Sequence, residues 1–140
     1  IKKCFEELIL RNVDLKGIIL KPNMILAGNK SKDKISNEEV AKLTLDCLKS
    51  SVPSEVPGIA FLSGGQSELE ATENLNLINK NNNTNFIMSY SYGRALQQGA
   101  LKFWSKDIKD LKGTQKVFNH RVKMNSLAAL GKWSKEIENK

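Results

Sequence analysis

The sequence has few of the residues that build disulfide-bonded or metal-bound proteins. It contains two cysteines and one histidine, and Cys4 and Cys47 stand too far apart for a metal motif or a disulfide framework. No apolar run approaches the roughly 20 residues that cross a bilayer. Residues 1–7 mix lysines and glutamates without an apolar core, so we expect no signal peptide. A reducing cytoplasm is the predicted location.

A continuous basic block is also absent, although basic residues are in excess. The formal net charge is +7, from 22 lysines and arginines against 15 acids. Nucleic-acid-binding domains usually carry a clustered basic stripe, whereas here lysines are scattered among acids, as in residues 30–34 and 102–112. We therefore expect no nucleic-acid partner. Excess positive charge suits anionic, phosphorylated small molecules but does not identify one.

Three short apolar runs have the character of buried strands. They span residues 17–21, 58–62 and 85–90, and each is nearly continuous in apolar residues and bounded by turn formers. This pattern is typical of strands covered on both faces. Helical patterns precede, separate and follow the runs. The alternation predicts an α/β fold with a parallel sheet and right-handed crossovers.

The helical patterns have defined starts and apolar faces. Ser36 with Glu39, and Ser67 with Glu70, have the spacing of capping boxes. A last helix is predicted from about residue 108 to residue 130, and the asparagine-rich tract 79–85 is predicted to be a solvated loop. The positions predicted to face inward are Val40, Leu43, Thr44, Cys47 and Leu48 in one helix, Ala71, Leu75 and Ile78 in the next, and Leu96, Gly99, Ala100 and Phe103 in a third.

The number of strands limits the possible architectures. The common α/β barrel closes with about eight strands, so three cannot form one. An open α/β sheet in a chain of 140 residues would normally show more than three. The residues alone leave two architectures open: a small three-layer domain, or a slice of a larger barrel.

Lys21 ends the first apolar run, where lysine is an uncommon residue. The carboxyl ends of parallel strands are where α/β folds bind ligands. An amine buried among apolar neighbours has a lowered pKa and can attack a carbonyl, forming an iminium that accepts electrons during C–C cleavage. The simpler interpretation is a side chain that extends from the strand end into solvent. On position alone, the simpler interpretation is favoured.

Two glycine-containing turns follow the second and third apolar runs. Residues 62–67 include Gly64 and Gly65, and residues 91–94 end in Gly93 and Arg94. Glycine lets the backbone approach a ligand closely, helix N-termini attract phosphate, and arginine adds a bidentate donor. Either turn alone is equally compatible with a tight turn that binds nothing. Two such turns in consecutive βα units, one with arginine, favour phosphate binding.

The remaining candidates for chemistry have simpler interpretations. His120 lies within the predicted last helix, without a cysteine or an acid at ligand spacing. A general base needs an orienting partner, so we predict a surface or structural role for this histidine. Trp104 and Trp133 are predicted to pack against other side chains rather than to stack on a ligand.

Three motifs together resemble one enzyme family. The segments 20–24 (LKPNM), 61–67 (FLSGGQS) and 91–97 (SYGRALQ) resemble the closing third of class I fructose-1,6-bisphosphate aldolases. Residues 125–128 and 131–132 also resemble the last core helix of that family. The resemblance covers nearly the whole chain, and its motifs are long, in the family's order and correctly spaced.

The resemblance implies a TIM (β/α)8 barrel. Residues 1–140 would be the C-terminal portion of a single barrel domain, supplying roughly its last three βα units and a C-terminal helix. It implies that Lys21 forms the Schiff base and that no metal or other cofactor is needed, because the iminium replaces the metal ion as electron acceptor. The residues that would bind a substrate phosphate are Ser63, Gly64, Gly93 and Arg94, with Leu62, Gly65 and Ser91 lining the same site.

The implied activity is that of a lyase in glycolysis and gluconeogenesis. It reversibly cleaves fructose 1,6-bisphosphate to dihydroxyacetone phosphate and glyceraldehyde 3-phosphate. The family also implies a homotetramer, and relatives that bind cytoskeletal partners suggest a scaffold role for this chain. Another Schiff-base aldolase and a non-catalytic scaffold are the alternative functions.

The chain departs from the family pattern in two ways. The family's further acid/base residues, on earlier strands, and its tyrosine-ended C-terminal tail lie outside residues 1–140. Catalytic groups of this kind act as a unit, so we expect little activity from these residues alone. We also expect exposed strand edges and apolar faces.

Overall fold

The computed structural model describes residues 1–28 and 30–140, which form three β-strands and six α-helices. In chain order the elements are α1 (Lys2–Leu10), a 3₁₀ turn (Leu15–Gly17), β1 (Ile19–Leu20), α2 (Asn37–Ser51), β2 (Gly58–Phe61), α3 (Glu68–Lys80), β3 (Ile87–Tyr90), α4 (Arg94–Trp104), α5 (Leu111–Ala129) and α6 (Lys135–Glu138). The predicted alternation of helices and strands is confirmed. Each strand is one to three residues shorter than its apolar run.

The strands form one parallel sheet in the order β1–β2–β3. Ile19 lies opposite Gly58, and Gly58 lies opposite Ile87, while Ile59 and Met88 are paired in the next row. Ile59 and Met88 are buried on the helix side, whereas Ile19 is 69% exposed and Ile87 is 76% exposed. One face of the sheet is therefore covered and the other is open. The prediction that both faces are buried is wrong for these residues, because helices pack on one side only.

The core lies between the covered face of the sheet and the helices. Helices α3 and α5 contact β3, α2 packs against α3, and α5 packs against both α3 and α4. Phe61 of β2 and Leu75 and Ile78 of α3 are completely buried. Burying a side chain of this size stabilises a fold by about 1.5–3 kcal/mol, so these contacts hold α3 on the sheet.

Both predicted helix starts are present, but within residues 30–140 the capping box is complete only at Ser67, and the one predicted at Ser36 lacks the reciprocal bond from Ser36 N to the Glu39 carboxylate. At α3 the Ser67 hydroxyl accepts a hydrogen bond from Glu70 N, and the Glu70 carboxylate accepts one from Ser67 N, which completes the capping box. Hydrogen bonding of the Glu70 carboxylate with the backbone and the side chain of Ser67 holds the pKa of Glu70 below its usual value. At α2 the Ser36 hydroxyl accepts from Glu39 N.

The predicted inward faces are correct at α3 and partly wrong at α2 and α4. Ala71, Leu75 and Ile78 are buried as predicted. Leu43 is exposed, and Ala41 and Leu45 are buried in α2. Phe103 at the end of α4 is 36% exposed. The periodicity of the sequence predicted each of these helices correctly. Which residues of a wide apolar stripe are buried depends on the elements that pack against the helix.

Hydrogen bonds to the carboxylate of Glu138 hold the C-terminal helix α6 against α5. Glu138 accepts hydrogen bonds from Arg121 Nη2 at 2.6 Å, Trp133 Nε1 at 2.8 Å and His120 Nε2 at 3.2 Å. Burial acts to raise the pKa of Glu138, but the bonds from Arg121, Trp133 and His120 together lower it below its usual value. His120 therefore has the structural role that the sequence predicted, and Trp133 is buried as predicted, whereas Trp104 is 43% exposed.

No helix among residues 1–28 and 30–140 has both the length and the apolar character needed to cross a membrane.

Replacement of Glu138 by glutamine should destabilise the chain near neutral pH. Hydrogen bonds to a charged group contribute about 1.5–3 kcal/mol each. A glutamine amide would place its NH2 group against the N–H donors of Arg121, Trp133 and His120, so we expect the free energy of unfolding to fall by about 2 kcal/mol. Because folding lowers the Glu138 pKa, its contribution is complete above the unfolded-chain pKa and disappears as the pH falls through the folded-state value. Urea unfolding of E138Q at several pH values measures both effects.

Glu55→Gln, on an exposed loop residue, is the matched control. If E138Q and E55Q unfold at the same urea concentration at neutral pH, the proposed contribution of Glu138 is contradicted.

Candidate functional site

Hydrogen bonding between the strands continues into the loops that follow them. Leu62 N donates to Pro22 O at 3.0 Å, and Ser91 N donates to Phe61 O at 2.8 Å. These bonds hold the loops after β1, β2 and β3 side by side at the carboxyl edge of the sheet. The predicted site residues come from three distant parts of the sequence and share this edge.

Lys21 directly follows β1 at this edge. Side chains alternate along a strand, so Lys21 lies on the same face as Ile19, which is the open face of the sheet. Its side chain is exposed. This exposed position is the one that the residues alone favoured for Lys21, since the described part of the chain places no element over the open face.

The turn after β2 is a tight turn with two glycines in the left-handed region. Ser63 is buried, while Gly64 and Gly65 are exposed and have φ values of +58° and +87°. Gln66 N donates to Ser63 O at 3.0 Å and closes a four-residue turn. Two consecutive positive φ values are typical of a type I′ turn and favour glycine at both positions.

Asn23 lies directly beside this turn, and sequence reasoning did not assign it a role. A β-carbon on Gly64 would overlap with the Asn23 side-chain amide. The positive φ favours glycine at residue 64, and a larger residue there would also displace the exposed Asn23 amide. The signal in the sequence was the position of Asn23, two residues after Lys21 at the same strand end.

The turn after β3 leads into α4. Gly93 is the N-cap residue and Arg94 begins the helix, and both are exposed, as is Ser91. The first N–H groups of a helix have no acceptor within the helix and carry partial positive charge. Arg94 and Lys21 add two exposed cations, and neither is paired with a carboxylate in the described part of the chain. This edge therefore suits an anion.

Tyr92 anchors the same turn to the helix layer. Its hydroxyl donates to Ala71 O of α3 at 3.0 Å, and its ring lies 5.4 Å from the ring of Tyr90. Burial, with the neighbouring Tyr90 hydroxyl, raises the Tyr92 pKa above its usual value, so the hydroxyl stays protonated and remains a donor. The hydrogen bond from Tyr92 to α3 therefore fixes the position of the exposed backbone of Gly93, the next residue.

Gln66 and Asn74 form a second feature that sequence reasoning missed. Gln66 Nε2 donates to Ser63 O at 2.8 Å, and Asn74 Nδ2 donates to Gln66 Oε1 at 2.7 Å. Asn74 is buried in α3, and both residues line a cavity of about 320 Å³ behind the turn, which Lys34 and Glu70 also border. Gln66 stood within a recognised motif, but its partner Asn74 lies eight residues further on.

Comparison with known proteins gives one consistent result. A family model for fructose-bisphosphate aldolase class-I matches residues 1–140. A probable fructose-bisphosphate aldolase class 1 from Xylella fastidiosa is 46% identical over 134 residues, which cover 95% of this chain and 40% of the relative. The chloroplastic fructose-bisphosphate aldolase 2 of Pisum sativum is 50% identical over 129 residues, which cover 92% of this chain and 37% of the relative.

A solved structure is similar over the same range. It is the fructose-bisphosphate aldolase of Plasmodium falciparum in complex with TRAP and a small-molecule inhibitor, and it superposes with a TM-score of 0.91 at 40% sequence identity. The superposition covers 95% of this chain and 38% of that one.

The fold and the loops at its strand ends are those of an α/β enzyme of the TIM-barrel class. This chain corresponds to three neighbouring strands of such a barrel with their helices. The chain belongs to the class-I fructose-bisphosphate aldolase family, whose members are lyases. It spans 33–40% of the length of the curated relatives it matches. The predicted fold and family are thereby confirmed.

Alanine at residue 64 and alanine at residue 65 should have different effects on the site. A left-handed φ costs a non-glycine residue about 1–2 kcal/mol, and both substitutions incur this cost. Gly64→Ala must in addition displace Asn23, whereas a β-carbon on Gly65 meets no atom within 4 Å. Urea unfolding of both variants, with Gly17→Ala as a control at an unstrained and uncrowded position, tests this expectation. Equal stability of G64A and G65A would contradict the cost assigned to Asn23, and a G64A protein as stable as G17A would contradict the cost of the positive φ.

Proposed function

We propose that this chain carries the Schiff-base lysine and the phosphate-binding loops of a class I fructose-bisphosphate aldolase. The observation that supports this most directly is that Lys21 shares one sheet edge with the two glycine turns, within a chain that the family model matches throughout. The reaction is the reversible cleavage of fructose 1,6-bisphosphate to dihydroxyacetone phosphate and glyceraldehyde 3-phosphate.

Lys21 is the proposed nucleophile. Its neutral amine attacks the ketone carbon of the sugar phosphate, and loss of water leaves an iminium. The iminium takes up the electron pair of the breaking C–C bond as the aldehyde product leaves. Exposure on the open face leaves the amine accessible to a ligand at the strand ends.

The two turns are the proposed phosphate site. Ser63 and Gly64 would contribute donors from the first turn, and Gly93 and Arg94 from the second. Backbone N–H groups and a bidentate guanidinium are the donors that proteins use for phosphate. The exposed residues Gly65 and Ser91, with the half-buried Leu62, complete the lining.

The rest of the activity depends on groups outside residues 1–140. We propose that this chain is the C-terminal portion of a longer barrel domain, whose other strands cover the open face and supply the acid/base residues. Such a protein would act in glycolysis and gluconeogenesis as a homotetramer in the cytoplasm. The two free cysteines are compatible with a reducing compartment. Cytoskeletal or scaffold partners remain a prediction.

Borohydride reduction in the presence of dihydroxyacetone phosphate should trap an adduct on Lys21. The reagent reduces the iminium to a stable secondary amine, so intact mass and peptide mapping locate the reacting lysine. In the longer protein Lys21→Met should remove the adduct and lower cleavage of fructose 1,6-bisphosphate by about three orders of magnitude or more.

Lys16→Met is the control, because Lys16 is exposed in the 3₁₀ turn that precedes β1. An adduct that maps to another lysine of the longer protein would contradict the assignment of Lys21. An adduct in the longer protein but not in residues 1–140 would mean that the site needs the remaining strands.

Arg94→Met should weaken binding of the substrate phosphate. A hydrogen bond to a charged group contributes about 1.5–3 kcal/mol, so KM for fructose 1,6-bisphosphate is expected to rise by between about tenfold and a hundredfold. The matched control is Lys102→Met, an exposed cation in the last turn of the same helix. Steady-state kinetics of the longer protein make the comparison, and equal KM values for R94M and K102M would contradict a role in phosphate binding.

A further inference from the structure

The Ser63 carbonyl is held from the helix side by two hydrogen bonds. Gln66 N donates to it at 3.0 Å, and Gln66 Nε2 donates to it at 2.8 Å. A carbonyl oxygen has two lone pairs, so both are used by the same residue. Neither bond is needed to form a strand or a helix, because Ser63 and Gln66 lie between β2 and α3.

The hydrogen bonds that link Ser63 O, the Gln66 amide and the Asn74 amide allow only one assignment of donors and acceptors. Ser63 O can only accept, so the Gln66 amide must turn its nitrogen to it and its oxygen away. That oxygen accepts from Asn74 Nδ2 at 2.7 Å, which fixes the Asn74 amide as well. The other atom of that amide, Asn74 Oδ1, is buried and has no hydrogen-bond partner within the described residues. An unpaired buried acceptor is destabilising, and such features tend to occur where function requires them.

The orientation of the Ser63 carbonyl determines where the Gly64 N–H points. Both belong to the same peptide group, and in a trans peptide the C=O and N–H bonds point in opposite directions. With the carbonyl directed at Gln66, the Gly64 N–H is directed away from Gln66, and Gly64 itself is exposed. Within the described part of the chain this N–H donates to no backbone acceptor. It is therefore available to a ligand.

Glycine makes this peptide group easy to turn over. Rotating it by half a turn would change φ of Gly64 from +58° to a negative value that glycine also tolerates. The rotated peptide would present an oxygen, which repels phosphate, in place of the N–H. The backbone and side-chain bonds from Gln66 both oppose this rotation, and the side-chain bond is the one that a substitution can remove.

We propose that Gln66 is a positioning residue that holds the Ser63–Gly64 peptide so that the Gly64 N–H faces the substrate phosphate. Asn74 holds Gln66 in turn. This role rests on the proposed function, since it assumes a phosphate at the Ser63–Gly64 turn. It assigns Gln66 no contact with substrate.

Comparison of a phosphorylated ketone with an unphosphorylated one tests the role of Gln66. Gln66→Met keeps the length of the side chain but removes the donor to Ser63 O. In the longer protein we measure borohydride trapping at Lys21 with dihydroxyacetone phosphate and with dihydroxyacetone. The half-saturating concentration of dihydroxyacetone phosphate should rise about tenfold in Q66M, because the charge-assisted hydrogen bond from the Gly64 N–H to the phosphate is lost. The half-saturating concentration of dihydroxyacetone should not change. Gln115→Met, on an exposed residue of α5, is the matched control and should change neither.

A role in stability alone would weaken trapping with both ketones equally, or with neither. If Q66M is folded and keeps the wild-type preference for the phosphorylated ketone, the positioning role is overturned. If Q66M does not fold, Asn74→Ala removes only the bond to Gln66 Oε1 and should reduce the same preference by a smaller factor. An unchanged preference in N74A would then overturn the role. Failure of the unsubstituted protein to trap either ketone on Lys21 would instead contradict the proposed function, and this role with it.

Discussion

The register of the three parallel strands is the constraint on which the site depends. Gly58 pairs with Ile19 on one side and with Ile87 on the other, and the ladder continues through the bonds of Leu62 to Pro22 and Ser91 to Phe61. Because all three strands run in the same direction, their following loops emerge at one edge. A shift of one residue in any strand would exchange its covered and open faces and move a loop away from that edge.

The two turns at this edge are fixed to the same helix by polar contacts. In the first, Gln66 connects the Ser63 carbonyl to Asn74 of α3, and in the second the Tyr92 hydroxyl bonds to Ala71 O of α3. Helix α3 is itself held by completely buried apolar residues and begins at a full capping box. Exposed backbone at the proposed phosphate site is therefore supported by a rigid element behind it, as precise ligand sites require.

The open face explains both the exposure of Lys21 and the apolar residues beside it. Ile19 and Ile87 lie on that face and are largely exposed. An apolar surface of this kind is typical of a face that another part of a protein covers, and relatives of this family are more than twice as long as residues 1–140. The prediction of strands buried on both faces failed because the apolar runs have the pattern of strands covered on both sides, while the described residues cover one side.

Local patterns in the sequence determined the order of helices and strands, the helix starts at Ser36 and Ser67, and the candidate residues Lys21, Gly64 and Arg94. These follow from short-range chemistry, since caps, periodicity and glycine turns act over a few residues. Only the tertiary structure decided which side chains of each apolar stripe are buried. It also decided which groups support the site: Asn23 beside Gly64, and Asn74 behind Gln66. Contacts between separate elements leave no periodic signal in a single sequence, because they depend on how the elements pack.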